Sequence, residues 1–323
     1  IPHRADAGCA KGGGVVQTFL ATCIVAGTPL LFAIIGEIMT ERSGSLNLGV
    51  EGMMLLGAVA GFVTAMSTKN PGLALLGAAL AGAGGALIYA ILTVTFRANQ
   101  TVTGLTLTIF GTGVTSFIGQ PLLGSTIPSE VSAFFAKRAL PLLSDLPFIG
   151  RILFRQDVFV YFGYAICIVS AVYLYRTRPG LNLIAVGENT AAADASGIRV
   201  DAYKYVHILA GGALCGLGGA YLSIVRIPIW QVDVVAGRGW IAVALVIFAS
   251  WNPLKAFFAA MLFGGLSILG LRLQAMGLSF SQYLVDMVPY LATIVIVILS
   301  TRKDGKGNLG PANMSRPYFR EDR

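Results

Sequence analysis

The chain has 323 residues, of which 55% are hydrophobic and only 12% charged. An ordinary soluble domain carries about twice that charged fraction, so a water-soluble fold of this size would lack a polar shell, and a bilayer, where apolar residues face outward as well as inward, is the fitting solvent. The formal net charge of +8 is scattered between apolar runs and gathers at Arg302, Lys303, Lys306, Arg316, Arg320 and Arg323, the pattern of a basic tail after a final span and not a nucleic-acid footprint.

Crossing about 30 Å of hydrocarbon takes about 20 apolar residues in a helix. Residues 1–14 are polar and glycine-rich, carry no cleavable signal pattern, offer no helix, and are expected outside. Spans are then expected over residues 15–39, 46–66, 73–96 and 101–119. Residues 121–157 follow as the one long external segment, cut by Pro121, Pro128, Pro141 and Pro147 into short pieces along the membrane surface. Further spans are expected over 158–175, 203–225 and 284–300. The apolar run 240–270 would make one helix of about 45 Å, too long for a single crossing, and Trp251-Asn252-Pro253-Leu254-Lys255 divides it into two short spans. The result is an all-α, polytopic transmembrane bundle of about nine spans, forming a single domain over 1–323. With the basic tail 301–323 inside, parity puts the loop 176–204 inside with Arg176, Arg178, Arg199 and Lys204, and 121–157 outside.

Small residues let membrane helices approach closely. Gly57 with Gly61, and Gly212 with Gly216, have the four-residue spacing such packing uses. Cys9, Cys23, Cys167 and Cys215 lack metal-ligand spacing, and no metal site is expected. The sequence holds no G-x-x-x-x-G-K-[ST], H-E-x-x-H or G-x-S-x-G motif, so neither nucleotide gripping in the P-loop manner nor catalysis by this chain is expected. His207, inside an apolar helix, reads as a satisfied core residue.

Two stretches stand out. Residues 36–52 concentrate Glu37, Glu41, Arg42, Asn47 and Glu51 between strongly apolar spans. Charged groups near hydrocarbon normally line a cavity or pair with one another. The competing reading is a solvated loop with Arg42 paired to Glu41, and Glu51 serving only the dipole of a helix N-terminus. Residues 188–197 read as a short, slim helix, with Asn189 as N-cap, alanines at 191, 192, 193 and 195, and Gly197 as its stop.

The run GTPLLFAIIGEIMTERSGSLNLGVEGMMLLGA at 27–58 resembles the opening of permeases from bacterial ABC importers for nucleosides and related simple sugars. RANQTVTGL at 97–105, GLNLIAVGENTAAADASGI at 180–198 and AGRGWIAVALVIF at 236–248 resemble the same family in the same order. The resemblance implies the cobalamin/ribose-type importer permease fold in a bacterial plasma (inner) membrane. It also implies pairing with a second permease, two ABC ATPase subunits that use ATP and Mg, and an extracytoplasmic substrate-binding protein, with no cofactor held by this chain. By the same resemblance, Gly187, Glu188, Asn189, Ala192, Ala193 and Gly197 belong to a helix coupling the ATPase to the membrane. Glu37, Arg42, Asn47, Glu51, Asn99, Gln100 and Thr103 belong to a translocation path with a cytoplasmic gate. Gly237, Arg238 and Gly239 fall on the external side, at an outer vestibule. The cobalamin-type fold has ten spans with both ends inside, against the nine and the external N-terminus read here. The rival reading is an ion-coupled secondary transporter, which would use buried mid-helix acids and internal repeats; in the late spans Asp286 is the only acid. An intramembrane enzyme would need nucleophile or metal residues that the sequence does not offer.

Overall fold

A computed structural model describes residues 6–141, 143–144, 146, 148–275, 287–295, 298 and 310–319, with side chains from residue 16 onward and to 269 in the last long helix. The helices are α1 (Asp6–Glu41), α2 (Val50–Thr68), α3 (Pro71–Ala90), α4 (Gln100–Gly119), α5 (Ser129–Phe134), α6 (Ile149–Leu153), α7 (Val158–Arg176), α8 (Arg178–Glu188), α9 (Thr190–Ala195), α10 (Val200–Ala220), α11 (Arg238–Phe248) and α12 (Pro253–Ala275). Helices α3 and α10 each run on into a π turn, over Ile91–Thr95 and Tyr221–Arg226. Two short strands, β1 (Arg138–Ala139) and β2 (Arg155–Gln156), pair antiparallel within the expected surface segment.

Among the described residues six helices are long and apolar enough to cross a membrane: Val16–Glu41, Val50–Thr68, Pro71–Thr95, Gln100–Leu122, Val158–Arg176 and Val200–Arg226. Arg238–Phe248 and Pro253–Leu269 are shorter apolar helices, divided where the Trp251–Lys255 stretch predicts. The break is made by Ser250 and Trp251, both at positive φ, and by Pro253. Of the expected last span, 284–300, residues 287–295 and 298 are described and are helical, while Asp286 lies outside the described residues. Residues 6–14, expected to hold no helix, instead extend α1 from its N-terminal side. No proline interrupts that stretch, and a few glycines weaken a helix by about 1 kcal/mol each without ending it.

Polar caps set the helix starts. Asn70 accepts from Gly72 N and Leu73 N ahead of α3, with Pro71 at the first helical position. Asn99, Asp157, Thr177 and Asn189 cap α4, α7, α8 and α9 in the same way. Each supplies an acceptor to an amide that the helix leaves unbonded.

Helix α10 is central and packs against α1, α2 and α3. The neighbours met by a side chain built at each glycine give the helix directions. Gly36 faces Gly211 while Gly218 faces Pro29, so α1 and α10 are antiparallel. Gly52 abuts Leu107 and Gly111, and Gly104 abuts Leu48, so α2 and α4 run alongside each other. We call lower the end where α1 finishes and α4 and α10 begin. At Gly216 an added Cβ would collide with the Ala78 carbonyl on α3, and at Gly57 it would collide with Gly216 itself. The spacing read from the sequence therefore does bring helix backbones together at Gly57, Gly212 and Gly216. Gly84, in contrast, has no atom within 4 Å of the same built position. Gly216→Val is expected to destabilise the bundle by about 1–3 kcal/mol and Gly84→Val to have little effect, read as the shift in thermal unfolding of the detergent-purified protein.

Candidate functional site

Helix α1 ends at Glu41, and Gly44, at φ +81°, turns the chain out of it. The following segment does not leave the bundle: Ser43, Gly44, Ser45, Asn47 and Gly49 are all buried. A buried backbone needs partners for its N–H and C=O groups, and neighbouring helices supply them. Leu46 N donates to Gln100 Oε1 (2.7 Å) and the Tyr89 hydroxyl donates to Leu46 O (2.5 Å). Thr108 Oγ1 donates to Leu48 O (3.1 Å). Asn47 folds back onto α1, with its backbone N and Nδ2 both donating to Glu37 (3.2 Å each), while its Oδ1 accepts from Gly49 N (2.9 Å).

This re-entrant turn delivers Glu51 to the start of α2 deep in the bundle. Gly52 packs against Leu107 and Gly111, the middle of α4, so Glu51 lies near mid-height and not at a surface. Glu51 is 5% exposed, and a carboxylate so placed requires donors. It takes them from the N-terminus of α11: Gly237 N donates to one oxygen (2.8 Å) and Gly239 N to the other (2.6 Å). A carboxylate there also meets the positive end of the helix dipole. Gly239 has room for no side chain, because an added Cβ would press on the Glu51 backbone.

The expected separation of Gly237, Arg238 and Gly239 from the inner turns therefore does not hold. Helix α11 has 11 residues, about 16 Å, half the thickness of a bilayer core. Its lower end is fixed as well. Trp251 Nε1 donates to Glu41 (2.5 Å), and Arg42 donates to Trp251 O (3.4 Å). From Trp251 near the end of α1, so short a helix reaches only mid-height. The residues between Arg226 and Gly237 make up the rest of the descent from the upper end, where Trp230 packs at Gly119 of α4. The Arg42–Glu41 pair of the competing reading is not formed among the described residues. Glu41 is held by Trp251, and Arg42 faces Glu188 at 3.9 Å.

The other expected gate residues are spent on holding backbone. Asn99 Oδ1 accepts from Val102 N (3.0 Å) and Thr103 Oγ1 donates to Asn99 O (2.8 Å). Gln100 ties the start of α4 to the 42–49 turn. Both nitrogens of His207 lie within hydrogen-bond distance of tyrosine groups, Nε2 at 2.8 Å from the Tyr173 hydroxyl and Nδ1 at 2.6 Å from Tyr203 O, as a core histidine should be.

Asn189 caps α9 through Ala192 N (3.0 Å), and Gly197 stops the chain beyond it at φ +83°. Thr190 and Ala193 are buried, while Glu188, Asn189, Ala192, Ala195 and Ser196 form an exposed face. Gly187 touches the turn directly; a side chain there would strike Arg42 O. The structure thus brings Gly187 and Glu188 to Arg42, Asn47 to Glu37, Gln100 to Leu46, and Glu51 to Gly237 and Gly239. Missed from sequence were Trp251 and Tyr89 as members of this network, and Glu41 was singled out without its partner. An intramembrane acid such as Glu41 is itself a signal of function, but nothing local to it names its partner.

The family described as "Branched-chain amino acid transport system / permease component" matches residues 19–298. The nucleoside ABC transporter permease protein NupC of Lactococcus lactis is 34% identical, covering 88% of this chain and 92% of that protein. The guanosine ABC transporter permease protein NupQ of Bacillus subtilis is 32% identical, covering 96% and 98%. The "Putative glucose ABC transporter permease protein TsgC13" of Haloferax volcanii is 34% identical, covering 94% of this chain and 97% of that protein.

Glu51→Ala leaves the two α11 amides buried without an acceptor, and is expected to cost about 2–6 kcal/mol. Glu51→Gln, which keeps one acceptor oxygen, is expected to cost less. Thermal unfolding of both variants in detergent checks the order.

Proposed function

Because the chain belongs to the permease family of the branched-chain amino acid transport system, we propose that it is the membrane-spanning subunit of an ATP-driven importer that moves a nucleoside or a related simple sugar. The observation that carries this reading is the chain of contacts from the exposed helix α9, through Gly187 and Glu188 to Arg42, along the 42–49 turn to Glu51, and so to the half-length helix α11. A displacement at α9 has a connected route to mid-height, through the close approach of Gly187 and the Glu188 ion pair to Arg42 and then through the buried hydrogen bonds of the turn and Glu51. The relatives named for nucleosides are 34% and 32% identical over most of the chain, which favours a nucleoside over an amino acid as cargo. ATP with Mg would be used in partner ATPase subunits seated on the Ala192 face, a second permease would complete the path, and a binding protein would deliver solute at the opposite end. This chain would contribute passage and gating without covalent chemistry. In this arrangement Gly237, Arg238 and Gly239 would border the middle of the path, and Asn47, Gln100 and Thr103 would hold the lower gate shut by fixing its backbone.

The buried acids Glu37, Glu41 and Glu51 are the feature an ion-coupled transporter would share. Each, however, already accepts from protein donors, which fits anchoring better than ion exchange. Vesicles holding the chain with its ATPase and binding protein are expected to take up labelled guanosine or glucose in preference to leucine. Uptake is expected to stop when nucleotide is withdrawn and to persist without an ion gradient. Leucine as sole cargo would overturn the cargo assignment; uptake driven by a gradient alone would overturn the class. Ala192→Trp, on the exposed face of α9, is expected to cut uptake by about tenfold or more while the chain still folds, measured as transport against the amount of intact membrane protein.

A further inference from the structure

The segment 310–319 was expected only to be part of a basic tail, yet it is built into the lower end of the protein. Ser315 N donates to Gly44 O (3.2 Å), in the turn that leaves α1. Asn313 N donates to Gly187 O (3.0 Å), the residue pressed against Arg42. Ala312 N donates to Glu188 Oε2 (3.3 Å), and Asn313 Nδ2 donates to Thr190 Oγ1 on α9. The Tyr318 hydroxyl donates to Asp194 Oδ2 (2.8 Å), and its ring packs against the small apolar cluster of Val186, Ala193 and Val200. Beyond it, the guanidinium of Arg97, just ahead of α4, stands 4.4 Å from the centre of the Phe319 ring. Gly310 lies against the Trp251 ring. One ten-residue stretch therefore touches α8, α9, the 42–49 turn, Arg97 two residues before α4's cap, and the tryptophan below α11.

We infer that residues 310–319 are a mechanical strap, through which motion of α9 reaches the 42–49 turn and the start of α4 together. This rests on the reading of α9 as the helix that receives ATPase motion. Without the strap, the α8–α9 corner would bear on the turn through the close approach of Gly187 to Arg42 and a 3.9 Å Arg42–Glu188 pair with Glu188 47% exposed. A pair that exposed transmits little force, because its net strength is small. Two backbone hydrogen bonds from one short segment, one to Gly187 and one to Gly44, tie the same two elements far more firmly.

The side on which the strap binds distinguishes transmission from inhibition. It engages Thr190, Asp194 and the Ala193 cluster. It leaves Asn189, Ala192, Ala195 and Ser196 exposed. A strap that blocked partner docking would cover that exposed face. This one reaches that face only at its Glu188 edge and otherwise engages the buried side of α9.

The test uses the assembled importer, reconstituted with its own ATPase and binding protein, and reads solute uptake and ATP hydrolysis in the same vesicles. Removal of residues 310–323, and separately the pair Asn313→Ala with Tyr318→Phe, are compared with the intact chain. The strap predicts hydrolysis within about twofold of the intact importer and uptake reduced about tenfold, so that transport per ATP falls. Unchanged transport per ATP in the double variant overturns the strap. So does equal loss of uptake and hydrolysis in the double variant, which marks the segment as structural only. Should truncation abolish assembly, the double variant, which keeps the backbone, decides. If the intact chain supports no nucleotide-dependent uptake, the reading of α9 fails first, and the strap with it.

Discussion

Burying a carboxylate in an apolar bundle is tolerable only when its oxygens find donors, and in this protein that constraint organises everything around the lower half. Glu37, Glu41 and Glu51 are all buried. Glu37 takes its donors from the turn after α1, Glu41 from Trp251, and Glu51 from the first amides of α11. Each acid therefore fixes a piece of irregular backbone, and irregular backbone at membrane depth survives only where protein or water satisfies it. The three acids and the three non-helical pieces depend on each other.

Helix α11 is the clearest product of that arrangement. Glu51 holds it at its N-terminus, and Trp251 is bound to Glu41 and Arg42 just beyond its other end. A helix of 11 residues pinned at both ends moves when either anchor moves. Both anchors flank the 42–49 turn, so a shift of that turn is felt at mid-height without a long rigid lever. The glycines on α1, α2, α3 and α10 give the opposite arrangement, since close backbone contacts at Gly57, Gly212 and Gly216 make a closely packed frame around the turn and α11.

Much of this was legible in the sequence, for physical reasons that also explain the gaps. Apolar runs long enough to cross a bilayer announce themselves by composition, so α3, α4, α7 and α10 were found close to their observed ends, whereas α1 starts at Asp6 instead of residue 15 and α2 starts at Val50 instead of residue 46. Local signals were equally plain: Asn189 and Gly197 bracket α9, and Trp251-Asn252-Pro253 parts α11 from α12. Depth was not legible. Residues 237–239 precede an apolar run, and length alone put that run's start at a membrane face, whereas the contact with Glu51 puts it inside. That contact joins residues 186 and 188 positions apart, and the Trp251–Glu41 bond spans 210. Periodicity carries no information over such separations. The tail hid its contacts beneath its charge: after Arg302, Lys303 and Lys306, the change to Pro311, Asn313, Pro317, Tyr318 and Phe319 was the sign of a segment that packs.

The hydrogen bonds between Glu51 and α11 place a helix start at mid-height and link it to the turn. Hydrogen exchange resolved at the Gly237 and Gly239 amides tests them directly. Slow exchange at both amides in the native protein, accelerated in Glu51→Ala while the amides of Leu245 and Val246 farther along α11 stay protected, is the predicted result. Rapid exchange at Gly237 and Gly239 in the native protein, or exchange indifferent to the loss of the Glu51 carboxylate, would contradict it.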